Sequence, residues 1–274
     1  MAIQDFQDKV ILIKYGGNAM INEGLKRAVL EDVVSLKKQG LKVILCHGGG
    51  PNINRLLEKL DIEIKFVEGL RYTSKEVLDV VKMVLIGEVN SELTSTLNSL
   101  GIKAVGLSGI SDTMLKSQKK CGVDLGFTGE VSSVNPQLIN LLIVNDYVPV
   151  IAPLGDDGLG NSYNINGDIA AGKLAGSLKV DKFILLTDIE GLCNNIELKD
   201  VISYLNIDDI QLLKDKGVIS GGMIPKIDCC KEAIEAGVHN VHIIDGRIPH
   251  NIINLFNGEV GTTVGKDHPS VGLK

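Results

Sequence analysis

Short runs rich in β-branched residues recur along the chain at Val10–Ile13, Val43–Leu45, Lys103–Leu107, Tyr147–Ile151, Lys182–Thr187 and Val241–Ile244, and most are separated by stretches long enough for a helix. Helical periodicity fills those gaps at Leu25–Lys38, Pro51–Leu60, Glu76–Leu85, Ser91–Leu100, Gln137–Val144, Ile169–Leu178 and Ile227–Ala236. A strand that returns to its sheet through a helix returns parallel, and parallel strands need cover on both faces. The alternation therefore predicts an α/β fold built on a mainly parallel open sheet. Local punctuation agrees: Pro51 suits a first helical turn, Ser74 an N-cap, and Gly40 and Gly101 stand where helices stop. Gly155–Asn166 is the one stretch rich in Gly, Asp and Asn, and it reads as a loop. With neither a low-complexity linker nor an internal repeat, a lobe boundary is placed near Ser177.

A chain of 274 residues, 44% of them hydrophobic, buries a sizeable core as one large domain or two intimate lobes with a cleft between them. Its net charge of −6 and the lack of a dense Lys/Arg run argue against a nucleic-acid or polybasic membrane surface. The cysteines (Cys46, Cys121, Cys193, Cys229, Cys230) are odd in number and show no C-x-x-C spacing, so they read as reduced thiols. The start, MAIQDFQDKV, lacks the basic and apolar regions of a signal peptide, and no apolar run nears the ~20 residues that span a bilayer. A cytoplasmic protein is expected.

Three loops close behind predicted strands carry the chemistry, because parallel sheets present ligands beyond the carboxyl ends of their strands. In Lys14-Tyr15-Gly16-Gly17-Asn18 the paired glycines let backbone amides approach an anion next to a cation. Taken alone, that segment is also what a turn beside a solvated lysine looks like. His47-Gly48-Gly49-Gly50-Pro51-Asn52 aims free N–H groups and a helix dipole at a small anion, while His47 itself caps or packs. Asn164-Ile165-Asn166-Gly167-Asp168 leads into a helix, and Asp168 has the chemistry of an N-cap as well as of a ligand. Gly167–Lys173 matches the spacing of a phosphate-binding P-loop, but Leu174 replaces the required hydroxyl and the segment reads as helix, so that reading is rejected. Downstream, Thr187-Asp188-Ile189-Glu190-Gly191 ends a strand. Gly221–Lys226 opens a helix with a lysine at its unfavourable positive end, which calls for an anionic partner. No H-E-x-x-H or G-x-S-x-G occurs, and His239 and His242 read as structural.

Together, Lys14-Tyr-Gly-Gly-Asn, His47-Gly-Gly-Gly-Pro, Gly69-Leu-Arg71, Asn164-Ile-Asn-Gly-Asp168 and Gly222-Met-Ile-Pro-Lys226 make the chain resemble acetylglutamate kinases, of the amino acid kinase family, over essentially its whole length. The resemblance implies a three-layer αβα sandwich. Its N-lobe, residues 1–176, would bind acetylglutamate and form a homodimer, and its C-lobe, residues 177–274, would bind ATP. It also implies that Gly49, Gly50, Arg71 and Asn164 hold acetylglutamate, that Lys14 and Lys226 clamp phosphates, and that Asp168 positions the two lysines. Gly16, Gly17, Asp188, Gly191 and Ser220 would line the nucleotide region, with ATP arriving as its Mg²⁺ complex and the metal's protein ligands unassigned. Arginine-inhibited members carry an N-terminal helix and a glutamate near the C-terminus. Here only thirteen residues precede Lys14, and Asn254-Leu-Phe-Asn257 stands at the second place, so arginine insensitivity is expected. An acetylaminoadipate kinase is the nearest alternative, since one methylene is worth only ~1–3 kcal/mol of discrimination. A catalytically silent sensor on the same fold is the second alternative.

Overall fold

The computed structural model describes residues 8–195, 200–258 and 260–272; residues 1–7, where the chain's start was read, lie outside them. Strands β1 (Val10–Tyr15), β2 (Lys42–His47), β3 (Ala104–Ser108), β4 (Val148–Ala152), β5 (Lys182–Thr187), β6 (Tyr204–Asn206), β7 (Asn240–Asp245) and β8 (Thr262–Gly265) form one sheet in the order β6-β8-β7-β5-β1-β2-β4-β3. Ile13 pairs with Leu45 on one side and Ile184 on the other, both parallel. The one antiparallel junction among the described pairs is β7 with β8.

Helices cover both faces: α1 (Glu23–Lys38), α2 (Gly50–Lys59), α3 (Lys75–Lys82), α4 (Ser91–Ser99), α5 (Gln137–Val144), α6 (Gly167–Leu178), α7 (Ile210–Asp215), α8 (Met223–Glu235) and α9 (Asn251–Asn257). Alternation along β1 sorts the two cores. Ile11 and Ile13 pack with Val33 of α1, Leu57 of α2, Val81 of α3 and Ile252 of α9. Leu12, pointing the other way, packs with Ile139 of α5, Leu174 of α6 and Ile227 of α8. The expected αβα sandwich is the observed one.

The departures are local. Gly155–Asn166 is not a loop: Leu154–Asp156 and Ser162–Asn164 pair antiparallel, within a second, four-stranded sheet shared with Leu115–Lys119 and Gly129–Val134. Three-residue strands are too short for alternation to register. The helix read as Glu76–Leu85 gives way after Lys82 to a π-helical stretch, Met83–Asn90, which runs straight into α4. Ser74 does cap α3, accepting from Val77 N at 3.1 Å, and Gly40 and Gly101 adopt φ of 90° and 88° just beyond α1 and α4. Asp168, however, is not an N-cap. Asn166 takes that place, its Oδ1 accepting from the amides of Asp168 and Ile169, which leaves the Asp168 carboxylate free for other work.

Candidate active site

The sheet changes winding direction at β1: the chain leaves β1 for β2 on one side and later places β5 on the other. In open α/β sheets such a switch point leaves a crevice at the carboxyl ends of the strands. Here a cleft of about 380 Å³ opens there. Its floor is two glycine loops in contact. A Cβ built on Gly48 would lie 3.6 Å from Gly16 Cα, and Gly48 N donates to Tyr15 O at 2.7 Å. A Cβ on Gly16 would fall 2.5 Å from Lys14 Nζ, so the lysine can fold back over the loop only because residue 16 is glycine. Gly17, at φ 78°, would likewise strike Asp188 Oδ1 at 2.6 Å, which brings the end of β5 to the same loop.

At one end of the cleft Asp168, in the first turn of α6, bridges two cations. Its Oδ1 lies 2.8 Å from Lys14 Nζ and its Oδ2 2.6 Å from Lys226 Nζ. Helix α8 begins at Met223, so Lys226 sits within its first turn rather than ahead of it, and Asp168 is the anionic partner that the position required. Burial opposes ionisation of Asp168, yet the two ammonium groups outweigh it and hold the carboxyl well below the ordinary range. Burial also opposes the charge on Lys14, and Asp168 reverses that, raising its pKa. Two cations on one anion leave a net charge of +1 in a water-poor site, which an incoming anion can neutralise. Lys173, the lysine of the rejected P-loop match, instead pairs with Glu232 at 2.9 Å.

At the other end stands Arg71, 8% exposed. Its Nη2 donates to Asn54 Oδ1 at 2.5 Å and its guanidinium stacks 4.7 Å from the Phe66 ring, but Nη1 is buried with no hydrogen-bond partner among the described residues. Desolvation lowers its pKa accordingly. Arg71 O accepts from Thr128 Oγ1 at 2.5 Å and Thr73 Oγ1 at 3.2 Å, and Thr73 Oγ1 in turn accepts from Asn164 Nδ2 at 3.0 Å, so the arginine and asparagine are held by one hydroxyl chain. A guanidinium fork with an unused buried N–H is built for a planar anion such as a carboxylate.

The sequence-predicted residues Lys14, Gly16, Gly17, Gly49, Gly50, Arg71, Asn164 and Asp168 all line this cleft. Lys226 joins through Asp168, and Asp188 through Gly17. Gly191 and Ser220 do not reach it. A Cβ on Gly191 would meet Thr262 Oγ1 at 2.8 Å, and Ser220 is exposed, its carbonyl accepting from Met223 N. Asn54, Phe66, Leu85 and Thr128 line the cleft without having been singled out. None belongs to a glycine loop, and only the helical offset of Asn54, four residues after Gly50, pointed its way. Among the described residues no cluster of three or more His, Cys, Asp or Glu side chains is arranged to hold a metal, and no helix is long and apolar enough to cross a membrane.

Such a sheet, with glycine loops at its switch point and cations facing a cleft, is a phosphoryl-transfer architecture. The chain belongs to the amino acid kinase family, whose model matches residues 9–245. It is 47% identical to the acetylglutamate kinase of Caldanaerobacter subterraneus subsp. tengcongensis, over 97% of this chain and 90% of that protein. Against the acetylglutamate kinase of Methanococcus aeolicus the identity is 46%, over 96% and 94%. Two solved structures share the fold. N-acetylglutamate synthase from Neisseria gonorrhoeae, complexed with coenzyme A and N-acetyl-glutamate, superposes with a TM-score of 0.85 at 21% identity, over 97% of this chain and 62% of that one. Carbamate kinase from Giardia lamblia bound to AMP-PNP gives 0.70 at 20%, over 95% and 99%.

Proposed function

We infer that this chain is an ATP-dependent acetylglutamate kinase, which transfers the γ-phosphoryl group to the side-chain carboxylate of N-acetyl-L-glutamate and releases N-acetyl-L-glutamyl 5-phosphate and ADP. The observation that carries the reading is the cleft itself: a buried guanidinium whose Nη1 has no partner among the described residues at one end and a two-lysine clamp at the other. In this reading Arg71 grips the α-carboxylate, with Asn164, Gly49 and Gly50 completing the acetylglutamate side. Lys14 and Lys226 receive the phosphates, and Asp168 holds both ammonium groups in place until they arrive. Gly16, Gly17 and Asp188 flank the nucleotide, with Gly191 and Ser220 farther out. The curated relatives carry the acetylglutamate kinase name and lend no support to the aminoadipate alternative.

The attacking group is a carboxylate with an ordinary pKa of about 4.3, already ionised at neutral pH, so no general base is required. The barrier is electrostatic. Two like charges at about 4 Å repel by roughly 4 kcal/mol at an effective dielectric of about 20, and the lysines offset this where charge develops. Mg²⁺ would arrive on the phosphates of ATP, which suits a site whose described residues form no carboxylate cage, and would supply further charge neutralisation there. Residues 1–176 then carry the acceptor side and the surface of a homodimer, residues 177–274 contribute Lys226 and Asp188, and the enzyme works in the cytoplasm. ADP release from MgATP with N-acetylglutamate, N-acetylaminoadipate or aspartate, with acyl phosphate trapped by hydroxylamine, tests this. Signal chiefly with acetylglutamate is expected; signal chiefly with another acid, or with none, overturns it.

A further inference from the structure

His47 is absent from the chemistry described so far, yet it is fully buried directly beneath the glycine loop, with 0% of its surface exposed. Its Nδ1 lies 2.7 Å from Gly48 O, a pure acceptor, so the ring proton resides on Nδ1 and is donated there. Its Nε2 is then the acceptor, and Asn90 Nδ2 donates to it at 3.0 Å. The same Asn90 Nδ2, sharing its two protons among three acceptors, also donates to Val150 O at 2.9 Å in the middle of β4 and to Leu107 O at 3.1 Å near the end of β3, which fixes the amide beside the ring. Burial pulls the imidazole pKa down to about 4, consistent with a neutral ring held as one tautomer.

The peptide unit converts this into direction. In a planar trans peptide the C=O and the following N–H point opposite ways, so a Gly48 carbonyl pinned back onto the imidazole turns the Gly49 N–H away from the core, toward the cleft that Gly48, Gly49 and Gly50 line. Glycine at 48 would otherwise let that peptide rotate freely. The π-helical stretch Met83–Asn90 presses on the same loop from above: a Cβ on Gly49 would lie 2.5 Å from Leu85 Cδ2, and Glu88 Oε1 accepts from Asn52 Nδ2 at 2.8 Å. Wide turns of this kind recur where a helix serves a functional site.

We propose that His47, locked as its Nδ1–H tautomer by Asn90, is a positioning residue that holds the Gly48–Gly49 peptide with the Gly49 N–H, on the acetylglutamate side of the cleft, aimed at the phosphoryl oxygens as they reach the acceptor carboxylate. The inference rests on the kinase reading. Removing one such directed donor from an acyl-transfer site costs about 10²–10³ in rate, and the same scale is taken for the developing charge here. His47→Leu should therefore lower kcat by about 10²-fold while leaving the KM values for ATP and acetylglutamate within about threefold, a loss confined to the transition state. His47→Asn and His47→Gln keep the test decisive if the apolar variant does not fold. The asparagine amide nitrogen sits where Nδ1 sits and still reaches Gly48 O, whereas that of glutamine sits near Nε2 and does not. Steady-state kinetics with thermal melts of all three variants should show kcat restored to within about fivefold by Asn but not by Gln, at similar melting temperatures. Equal kcat for Asn and Gln, or a fall in stability with kcat unchanged, overturns the proposal. A wild-type protein that releases no ADP with acetylglutamate overturns the kinase reading instead, so the two failures are distinct.

Discussion

Arg71→Met separates the kinase reading from a purely structural arginine. In the free protein Arg71 is already at a disadvantage, because Nη1 is buried without a partner, and such a group costs about 1–3 kcal/mol. Against this stand one hydrogen bond to Asn54 and the stacking on Phe66, together about 2–5 kcal/mol. The terms largely offset, so the variant should melt within a few degrees of wild type. With substrate the balance changes. Two charge-assisted hydrogen bonds to a carboxylate are worth about 3–6 kcal/mol, so the KM for acetylglutamate should rise by about 10²–10⁴ while that for ATP stays put. Acetylglutamate at about a hundred times its Kd should stabilise the wild type by about 2.7 kcal/mol, and the same concentration should leave the variant's melting temperature unmoved. A variant whose KM rises for ATP rather than for acetylglutamate, or which still shows the thermal shift, refutes the placement of the acceptor at Arg71.

Lys14→Met and Lys226→Met should each lower kcat by about 10³–10⁵, as loss of a charge-stabilising cation does in other phosphoryl transfers; single-turnover rates within tenfold of wild type would contradict this. Gly126→Ala should destabilise by about 2–4 kcal/mol in a denaturant titration, because φ is 65° and the new Cβ would fall 2.2 Å from Thr73 O, disturbing the hydroxyl chain behind Arg71 and Asn164. Lys182 has its pKa lowered to about 8 by desolvation. The unfolded chain, with the ordinary value of 10.5, therefore binds more protons between pH 8 and 10.5, and this group makes stability rise with pH across that window. Lys182→Met should exceed wild type by on the order of 2 kcal/mol at pH 7 and lose most of that advantage as the pH rises through 10.5; a difference that does not change with pH would show the lysine already neutral or fully solvated.

How much of this was legible in the sequence depends on the range of each signal. The strands of the central sheet that lie nearest the site are apolar runs buried on both faces, and helices with clean caps sit between them, so alternation and punctuation located them to within a residue or two. The second sheet escaped because two of its strands are only three residues long and the other two, Leu115–Lys119 and Gly129–Val134, are largely polar and partly exposed, and they owe their order to partners far away in the chain, as when Lys116 pairs with Asp156. The same distinction governs the site. Lys14, Gly49 and Asp168 lie at strand ends and helix starts, where local sequence already dictates an anion-facing backbone. Arg71 was legible only through the family resemblance, since nothing in Leu70-Arg71 foretells burial, and Asn54 in α2 and Thr73 and Thr128 at isolated bridges, which hold it, carry no local signal until the chain folds. His47 shows the limit most clearly. Its sequence neighbours announce a loop, but its role is set by Asn90, forty-three residues on, delivered by a π-helical stretch that ends in the gap between the predicted helices Glu76–Leu85 and Ser91–Leu100. What the local pattern gives is where ligands can bind; which side chains aim the loop is decided by contacts that only the packed sheet creates.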